Sequence, residues 1–200
     1  MGAITTNDKE IFRLARKIKA NGRDCDCDVC LRSEGKCPKL NTKPGDYDPR
    51  FSHDIIGYNF KLMEFQAALG LTQLEKVDEI LKKRRDNVKF LNEGLKEFEE
   101  FLQLPIYDEN ISYLAYPIVL KGLERKLVRQ RLEEKGVETR PLFGCIPTQQ
   151  KAYDYLKEKY KDKLPNSDYV GSNGFYIGCH QYLERCDLEK IVKTFKEILK

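Results

Sequence analysis

The sequence predicts an α+β domain in which a small sheet is covered on one face by helices. Three observations predict this class. Helical patterns alternate along the chain with three or four short strand patterns. Hydrophobic residues make up 40% of the 200 residues, enough for a packed core. The chain also contains no internal repeat and no low-complexity tract.

The first predicted helix begins near Asn7, which can cap it, and Glu10 lies three residues later, close to a capping box. Apolar residues then recur at helical spacing, at Ile11, Leu14, Ala15 and Ile18. Gly22 is expected to end this helix. Residues 23–50 show no period and are rich in Cys, Gly, Pro and Asp, so they are predicted to form a long, functional loop.

The longest helical pattern runs from about residue 61 to residue 96. The later elements, in order, are a strand at 114–120, a helix at 123–135 ending at Gly136, a strand Val137 to Arg140 stopping at Pro141, helices near 148–161 and 165–172, a strand Phe175 to Ile177, and a helix capped by Asp187. On one face this last helix carries Leu188, Ile191, Val192, Phe195 and Leu199.

Charge and hydropathy exclude several classes of function. The 36 basic and 32 acidic residues are interleaved, which indicates a solvated surface, and no basic stripe with aromatic residues points to nucleic acid. No apolar run approaches the roughly 18–20 residues that cross a bilayer. The first residues lack a secretory signal pattern, which predicts a cytoplasmic protein with reduced thiols.

A cysteine cluster in the long loop predicts a metal site. Four of the seven cysteines fall within thirteen residues, at Cys25, Cys27, Cys30 and Cys37. Four thiolates can hold an iron–sulfur cluster or zinc. The spacing favours iron–sulfur over zinc and leaves a metal-free loop as a third reading, while the interleaved Asp residues are expected to lower a cluster's reduction potential. The isolated Cys145, Cys179 and Cys186 are predicted to be small buried hydrophobes.

Several motifs resemble a known family. They are SHDIIGYNFKLMEFQAALG at 52–70 with its continuation to Arg84, Arg85 and Asn87, TRPLF at 139–143 and NGFYIG at 173–178. In this order they resemble the C-terminal half of DegT-type sugar aminotransferases, pyridoxal-phosphate enzymes that act on nucleotide-linked keto sugars. The segment GRDCDC at 22–27, with more cysteines before His53, resembles one branch, the CDP-4-keto-6-deoxyglucose 3-dehydratases.

The resemblance implies a fold and a chemistry. The fold is the C-terminal small domain of a fold-type I aminotransferase, a small antiparallel sheet flanked by helices, with one long helix and a cysteine-rich loop. The dehydratase branch uses pyridoxamine phosphate and a [2Fe–2S] cluster, fed with electrons by a separate reductase, to remove the sugar C3 hydroxyl. The Schiff-base residue of the family belongs to a half that precedes residue 1, so this chain alone is expected to be inactive.

Through the same motifs the resemblance assigns roles to individual residues. Asn59 and Lys61 match positions that reach the cofactor phosphate of a partner subunit, with Lys61 standing where Arg is commoner, which weakens the phosphate grip. Arg140 is expected to bind the nucleotide phosphates. Three further residues are candidates for the wall of the substrate site: His53, Tyr58 and Phe143.

The predicted organisation has three parts. Residues 1–22 are a remnant strand and helix of the large cofactor domain, 23–50 the cysteine-rich loop and 51–200 the small domain with its long connecting helix. We expect a homodimer or a complex with an N-terminal half, a nucleotide-sugar substrate and 3-deoxygenation. Two alternatives stay open: a sugar aminotransferase of the same family, and a stand-alone metal-binding or dimerisation module.

Overall fold

The computed structural model describes residues 2–27, 31, 34–39, 47–142 and 146–199. The chain divides into two compact units, Met1–Glu75 and Lys76–Lys200, and each is described separately below. Of the residues with predicted roles, Cys30, Phe143 and Cys145 lie outside the described residues. No helix among those described combines the length and apolar character that a membrane span requires. The domain boundaries expected from the sequence stay predictions.

The described part of the first unit contains two α-helices, α1 (Lys9–Lys19) and α2 (Glu64–Leu74). Asp8, one residue after the expected Asn7, caps α1, because its carboxylate accepts from the backbone N–H groups of Glu10 and Ile11 at 2.8 and 3.1 Å. Residues 2–6, which look β-like in sequence, pair with no strand. None of the residues of α2 is buried.

The second unit is built on a four-stranded antiparallel sheet. Its strands are β1 (Leu102–Gln103), β2 (Tyr116–Leu120), β3 (Thr139–Pro141) and β4 (Gly174–Ile177), in the spatial order β1-β2-β4-β3. In the central pair, Ile118 lies opposite Phe175. The small antiparallel sheet expected from the sequence is therefore confirmed.

Helices α3 (Val77–Leu95), α4 (Arg125–Glu134), α5 (Lys157–Tyr160), α6 (Pro165–Asn173) and α7 (Arg185–Leu199) complete this unit. Helix α4 packs on β3, β4 and α7, and α7 packs on α3. Three short 3₁₀ helices lie at Lys96–Phe98, Pro147–Gln149 and Lys151–Leu156. The side chains of Val88, Leu91, Tyr116, Phe175 and Phe195 are among those that form the core.

Three helix predictions were wrong in their bounds. The helix predicted near 148–161 is divided into two 3₁₀ helices and the four-residue α5. The pattern from 61 to 96 is two helices, because at Lys76 the backbone leaves the helical region with φ −108° and ψ 3°. Asp187 lies inside α7, which starts at Arg185, and its carboxylate accepts from the backbone N–H of Glu184 at 2.9 Å. The apolar face of α7 is confirmed, with Leu199 only half-buried.

Two strand predictions were also shifted. Leu114 lies outside β2, because its carbonyl and that of Tyr113 accept from Arg84 Nη1 at 3.0 and 2.9 Å rather than from a strand. β3 begins at Thr139 rather than Val137, and Pro141 is its last residue rather than the residue that follows it. Since β3 is an edge strand, the missing N–H of a proline is tolerated there.

Candidate functional site

In the first unit the site is organised around the end of α1. Residues 52–61, which we call the site segment, run across this end: the backbone N–H of Tyr58 donates to the Ile18 carbonyl at 2.7 Å, and that of Asn21 donates to the Tyr58 carbonyl at 2.9 Å. Gly22 has φ +76°, and a Cβ at this residue would lie 1.8 Å from the Ile55 carbonyl oxygen. The C-cap of α1 is Ala20 rather than the predicted Gly22, while the Gly22 N–H donates to the Lys17 carbonyl at 2.8 Å and its missing side chain permits this close backbone crossing.

The thiol loop, which we define as residues 23–27, pairs with the start of the site segment. An antiparallel bridge joins Arg23 to His53, and the Asp24 N–H donates to the Ser52 carbonyl at 2.8 Å. These contacts place the start of the thiol loop beside Ser52 and His53, and the N–H of Cys25 donates to the nearby Pro49 carbonyl at 2.9 Å. The structure thus pairs the loop that carries Cys25 and Cys27 with the start of the segment that carries the predicted binding residues.

A buried lysine lies beneath this crossing. Lys17, on α1, is 1% exposed, and its Nζ lies 3.4 Å from Asp24 Oδ1 and makes an ion pair with Asp54. The hydrogen bond from Lys17 lowers the pKa of Asp54 below its ordinary value. Asp24 also accepts from Tyr47 and Lys39.

The described thiols share one neighbourhood. Cys25, Cys27 and Cys37 are half-buried, and burial together with the neighbouring Cys25 and Cys37 raises the pKa of Cys27. Among the described residues, no group of three or more His, Cys, Asp or Glu side chains is arranged to hold a metal ion. The described part of the predicted four-cysteine site therefore does not by itself fit a cluster.

The loop carboxylates are neutralised by cations rather than left as free negative charge. Asp26 Oδ1 lies 2.8 Å from Lys39 Nζ, and Asp26 Oδ2 lies 3.8 Å from Arg13 Nη1. Partial burial works against the charged form of Lys39, but its hydrogen bonds and ion pairs with Asp26 and Asp24 raise its pKa. The expectation that these aspartates would depress a reduction potential loses its basis at Asp24 and Asp26.

Asn59 and Lys61 are exposed, immediately before α2. Lys61 makes no ion pair with any described residue, so its ammonium is open to an anion. The side chain of Asn59 is exposed, so its amide can also bind an anion. Tyr58 is also exposed and stacks on Phe60, with ring centroids 5.1 Å apart. His53 is exposed as well. An amide donor and an ammonium group two residues apart fit the phosphate group of the cofactor that the sequence implies.

Large exposed apolar side chains are frequent along the chain from Ile56 to Leu74. Those that are each at least half exposed are Ile56, Tyr58, Phe60, Leu62, Met63, Phe65, Leu69, Leu71 and Leu74. Isolated exposed hydrophobic residues are normal, but many of them in one segment are typical of an interaction surface.

The second unit has a cleft of about 490 Å³ at the ends of β3 and β4. Arg140 lines it and is paired with Glu138, with Nη2 and Oε1 2.9 Å apart, while its side chain stays 65% exposed. His180, Asp187 and Lys190 also line the cleft. Among the predicted substrate residues that the structure describes, Arg140 is the one that belongs to the second unit.

The motif residues Arg84 and Asn87 have structural roles. Asn87 is buried, and its Nδ2 donates to the His180 and Cys179 carbonyls at 2.9 and 3.3 Å. Arg84 Nε donates to Gln181 Oε1 at 3.2 Å. Together they fix the turn that follows β4 and lines one side of the cleft.

Sequence reasoning did not identify Lys17, Lys39 or Lys190, because a lysine carries no sequence signal of burial or of a distant partner.

The isolated cysteines differ from one another. Cys179 is fully buried, as predicted, and burial raises the pKa of its thiol to about 11. Cys186 is exposed, so the prediction of a buried residue was wrong there. It lies at the second position of α7, before the apolar face of that helix begins.

The sequence matches the DegT/DnrJ/EryC1/StrS aminotransferase family over residues 1–196. It is 32% identical to the lipopolysaccharide biosynthesis protein RfbH of Salmonella typhimurium, covering 98% of this chain and 47% of that protein. It is 29% identical to the dTDP-4-dehydro-2,6-dideoxy-D-glucose 3-dehydratase of Saccharopolyspora spinosa, covering 99% of this chain and 44% of that protein.

A solved structure with the same fold is that of E. coli GDP-4-keto-6-deoxy-D-mannose-3-dehydratase with bound hydrated PLP. The TM-score is 0.70 at 24% identity, covering 94% of this chain and 48% of that one. The chain therefore belongs to the DegT/DnrJ/EryC1/StrS aminotransferase family. It spans about half the length of the curated relatives it matches.

Proposed function

We propose that this chain is the C-terminal portion of a pyridoxal- or pyridoxamine-phosphate enzyme that acts on nucleotide-linked 4-keto-6-deoxy sugars, with 3-deoxygenation as its reaction. The family match and the relatives named as 3-dehydratases support this proposal. The observation that carries it is the pairing of the site segment with the thiol loop, beside open anion-binding groups.

In this proposal Asn59 and Lys61 hold the cofactor phosphate. The amide of Asn59 donates to a phosphate oxygen, and the ammonium of Lys61 balances its charge. The bound cofactor supplies the electron sink that the sugar chemistry needs. In this proposal these two residues orient the cofactor through its phosphate, while the half of the family fold that this chain does not span holds the ring.

Arg140 is proposed to bind the nucleotide phosphates. Its guanidinium is exposed in the cleft, and the one ion pair that it forms with a described residue is the exposed pair with Glu138. Such pairs contribute little to stability, so an incoming diphosphate can replace Glu138 at small cost. Lys190 and His180 line the same cleft and add donors. His53, Tyr58 and Phe143 are proposed to line the sugar site.

The proposal includes a [2Fe–2S] cluster on Cys25, Cys27, Cys30 and Cys37, fed by a reductase, with zinc as the alternative occupant. No part of the reaction is assigned to this cluster, since the described thiols do not complete a ligand set. Amino transfer is the second candidate reaction, favoured by the aminotransferase relatives of the family. Nothing in the comparisons or the described side chains supports a stand-alone metal-binding or dimerisation module.

Anaerobic reconstitution with ferrous iron and sulfide tests the proposed reaction. We expect a brown protein whose visible absorbance is lost in Cys25→Ser and Cys27→Ser. The matched control is Cys186→Ser, since Cys186 is exposed in the other unit. A colourless protein that binds zinc stoichiometrically would contradict 3-deoxygenation and favour amino transfer.

A further inference from the structure

We propose that Lys17 is a positioning residue that holds the site segment in place from beneath. If the proposed function is correct, that segment carries the cofactor-phosphate and substrate groups. Lys17 lies on α1, is almost fully buried, and its ammonium is placed between carboxylates from two stretches that are thirty residues apart in sequence, Asp24 and Asp54.

Burial of an ammonium is costly unless it is compensated by opposite charge and hydrogen bonds. The carboxylates of Asp24 and Asp54 supply this opposite charge. Because one belongs to the thiol loop and the other to the site segment, the ammonium of Lys17 links the two. The backbone pairing of Arg23 with His53 already joins the two stretches at one point. An apolar side chain at residue 17 would leave both carboxylates without the ammonium that they share.

The two carboxylates differ in their other contacts. Asp24 is held in addition by Lys39 and Tyr47, so the thiol loop keeps two contacts if Lys17 is removed. Asp54 forms an ion pair only with Lys17 among the described residues, and its N–H donates to the Gly22 carbonyl at 3.2 Å. Loss of Lys17 should therefore release the site segment selectively and leave the thiol loop in place.

Hydrogen exchange of the whole chain, measured without cofactor, tests this proposal. In Lys17→Met we expect the amides of Asp54, Tyr58 and Phe60 to exchange at least about tenfold faster, since opening of this region becomes easier. The amides of α3 and α7 should keep their wild-type rates. Lys19→Met is the matched control, because Lys19 is exposed on the same helix and should leave all rates unchanged.

Two further variants separate positioning from general packing. Lys17→Arg should restore most of the protection, because it keeps the charge between the two carboxylates. Asp54→Asn should reproduce the effect of Lys17→Met, and the double variant should show no further acceleration, as expected for two partners of one interaction.

Unchanged exchange of the site segment in Lys17→Met would overturn the proposal. So would acceleration that reaches α3 and α7 equally, or a double variant whose effects simply add. Because the measurement needs neither cofactor nor substrate, a failure of the proposed function would leave its outcome unaffected, and its own failure would leave the proposed function standing.

Discussion

The two units of the molecule are ordered by different forces. In Lys76–Lys200 an apolar core joins the sheet to α3, α4 and α7. In the described part of Met1–Glu75 no apolar side chain is buried apart from Pro49, and order comes from backbone hydrogen bonds and the ion pairs of Lys17. Among the described residues, the unit that carries most of the candidate site is thus the one without an apolar core.

The largest expected effect contrasts two leucines. Leu91→Ala in α3 should lower the free energy of unfolding by about 2–5 kcal/mol, because Leu91 is fully buried in the core. Leu71→Ala in α2 should change it by less than about 0.5 kcal/mol, because Leu71 is 64% exposed. Urea unfolding followed by circular dichroism measures both. Equal losses would show that the first unit has a core of its own.

Thiol reactivity sharpens the comparison within the second unit. Cys179 should be alkylated about 100-fold more slowly than Cys186 at pH 8, because a thiol with a pKa of about 11 is almost wholly protonated there and is also buried. Mass spectrometry of iodoacetamide-treated protein gives both rates in one sample. Comparable rates would mean that the core around Cys179 opens readily.

Removal of the buried side-chain amide of Asn87, in α3, should have a smaller effect on stability. Asn87→Ala should cost about 1–3 kcal/mol of stability, because the carbonyls of Cys179 and His180 lose their donor. Lys89→Ala, on the exposed side of the same helix, is the control and should be nearly neutral. No loss in Asn87→Ala would contradict the assignment of this residue to the support of the cleft.

The smallest expected effect on stability is at the cleft itself. Arg140→Ala should change the free energy of unfolding by less than about 0.5 kcal/mol, because its ion pair with Glu138 is exposed. Binding of a nucleoside diphosphate sugar, followed by NMR titration, should nevertheless weaken about tenfold. Arg131→Ala, another exposed arginine, should leave binding unchanged. Equal affinity in the two variants would contradict the proposal that Arg140 binds the nucleotide phosphates.

The sequence predicted the second unit well because burial there follows the helical and strand periods. The apolar face of α7 is an example. Strand β2 is an exception, since Ile118, Val119 and Leu120 are all buried and burial does not alternate there. The first unit was harder to predict for the opposite reason. The apolar residues of α2 have a helical period but are exposed, and the one deeply buried side chain of α1 is Lys17. A two-residue strand such as β1 is too short to leave a pattern.

The candidate site was predicted from motifs rather than from periodicity. The family resemblance predicts four binding residues in the first unit, and their roles stay predictions. They are His53, Tyr58, Asn59 and Lys61. The pairing of the site segment with the thiol loop could not be read from the sequence, because it depends on Gly22 and Gly57 crossing at backbone distance and on ion pairs between residues far apart in the chain.

Cofactor retention by the assembled enzyme tests the central claim most directly. The chain would be co-expressed with the N-terminal half of the Salmonella relative, and bound pyridoxal phosphate would be measured by its visible absorbance. We predict that the complex retains the cofactor, that this chain alone does not, and that Asn59→Ala with Lys61→Ala lowers retention at least about tenfold, whereas Lys76→Ala does not. Stoichiometric binding by this chain alone, or equal retention in the variant complex, would contradict the account.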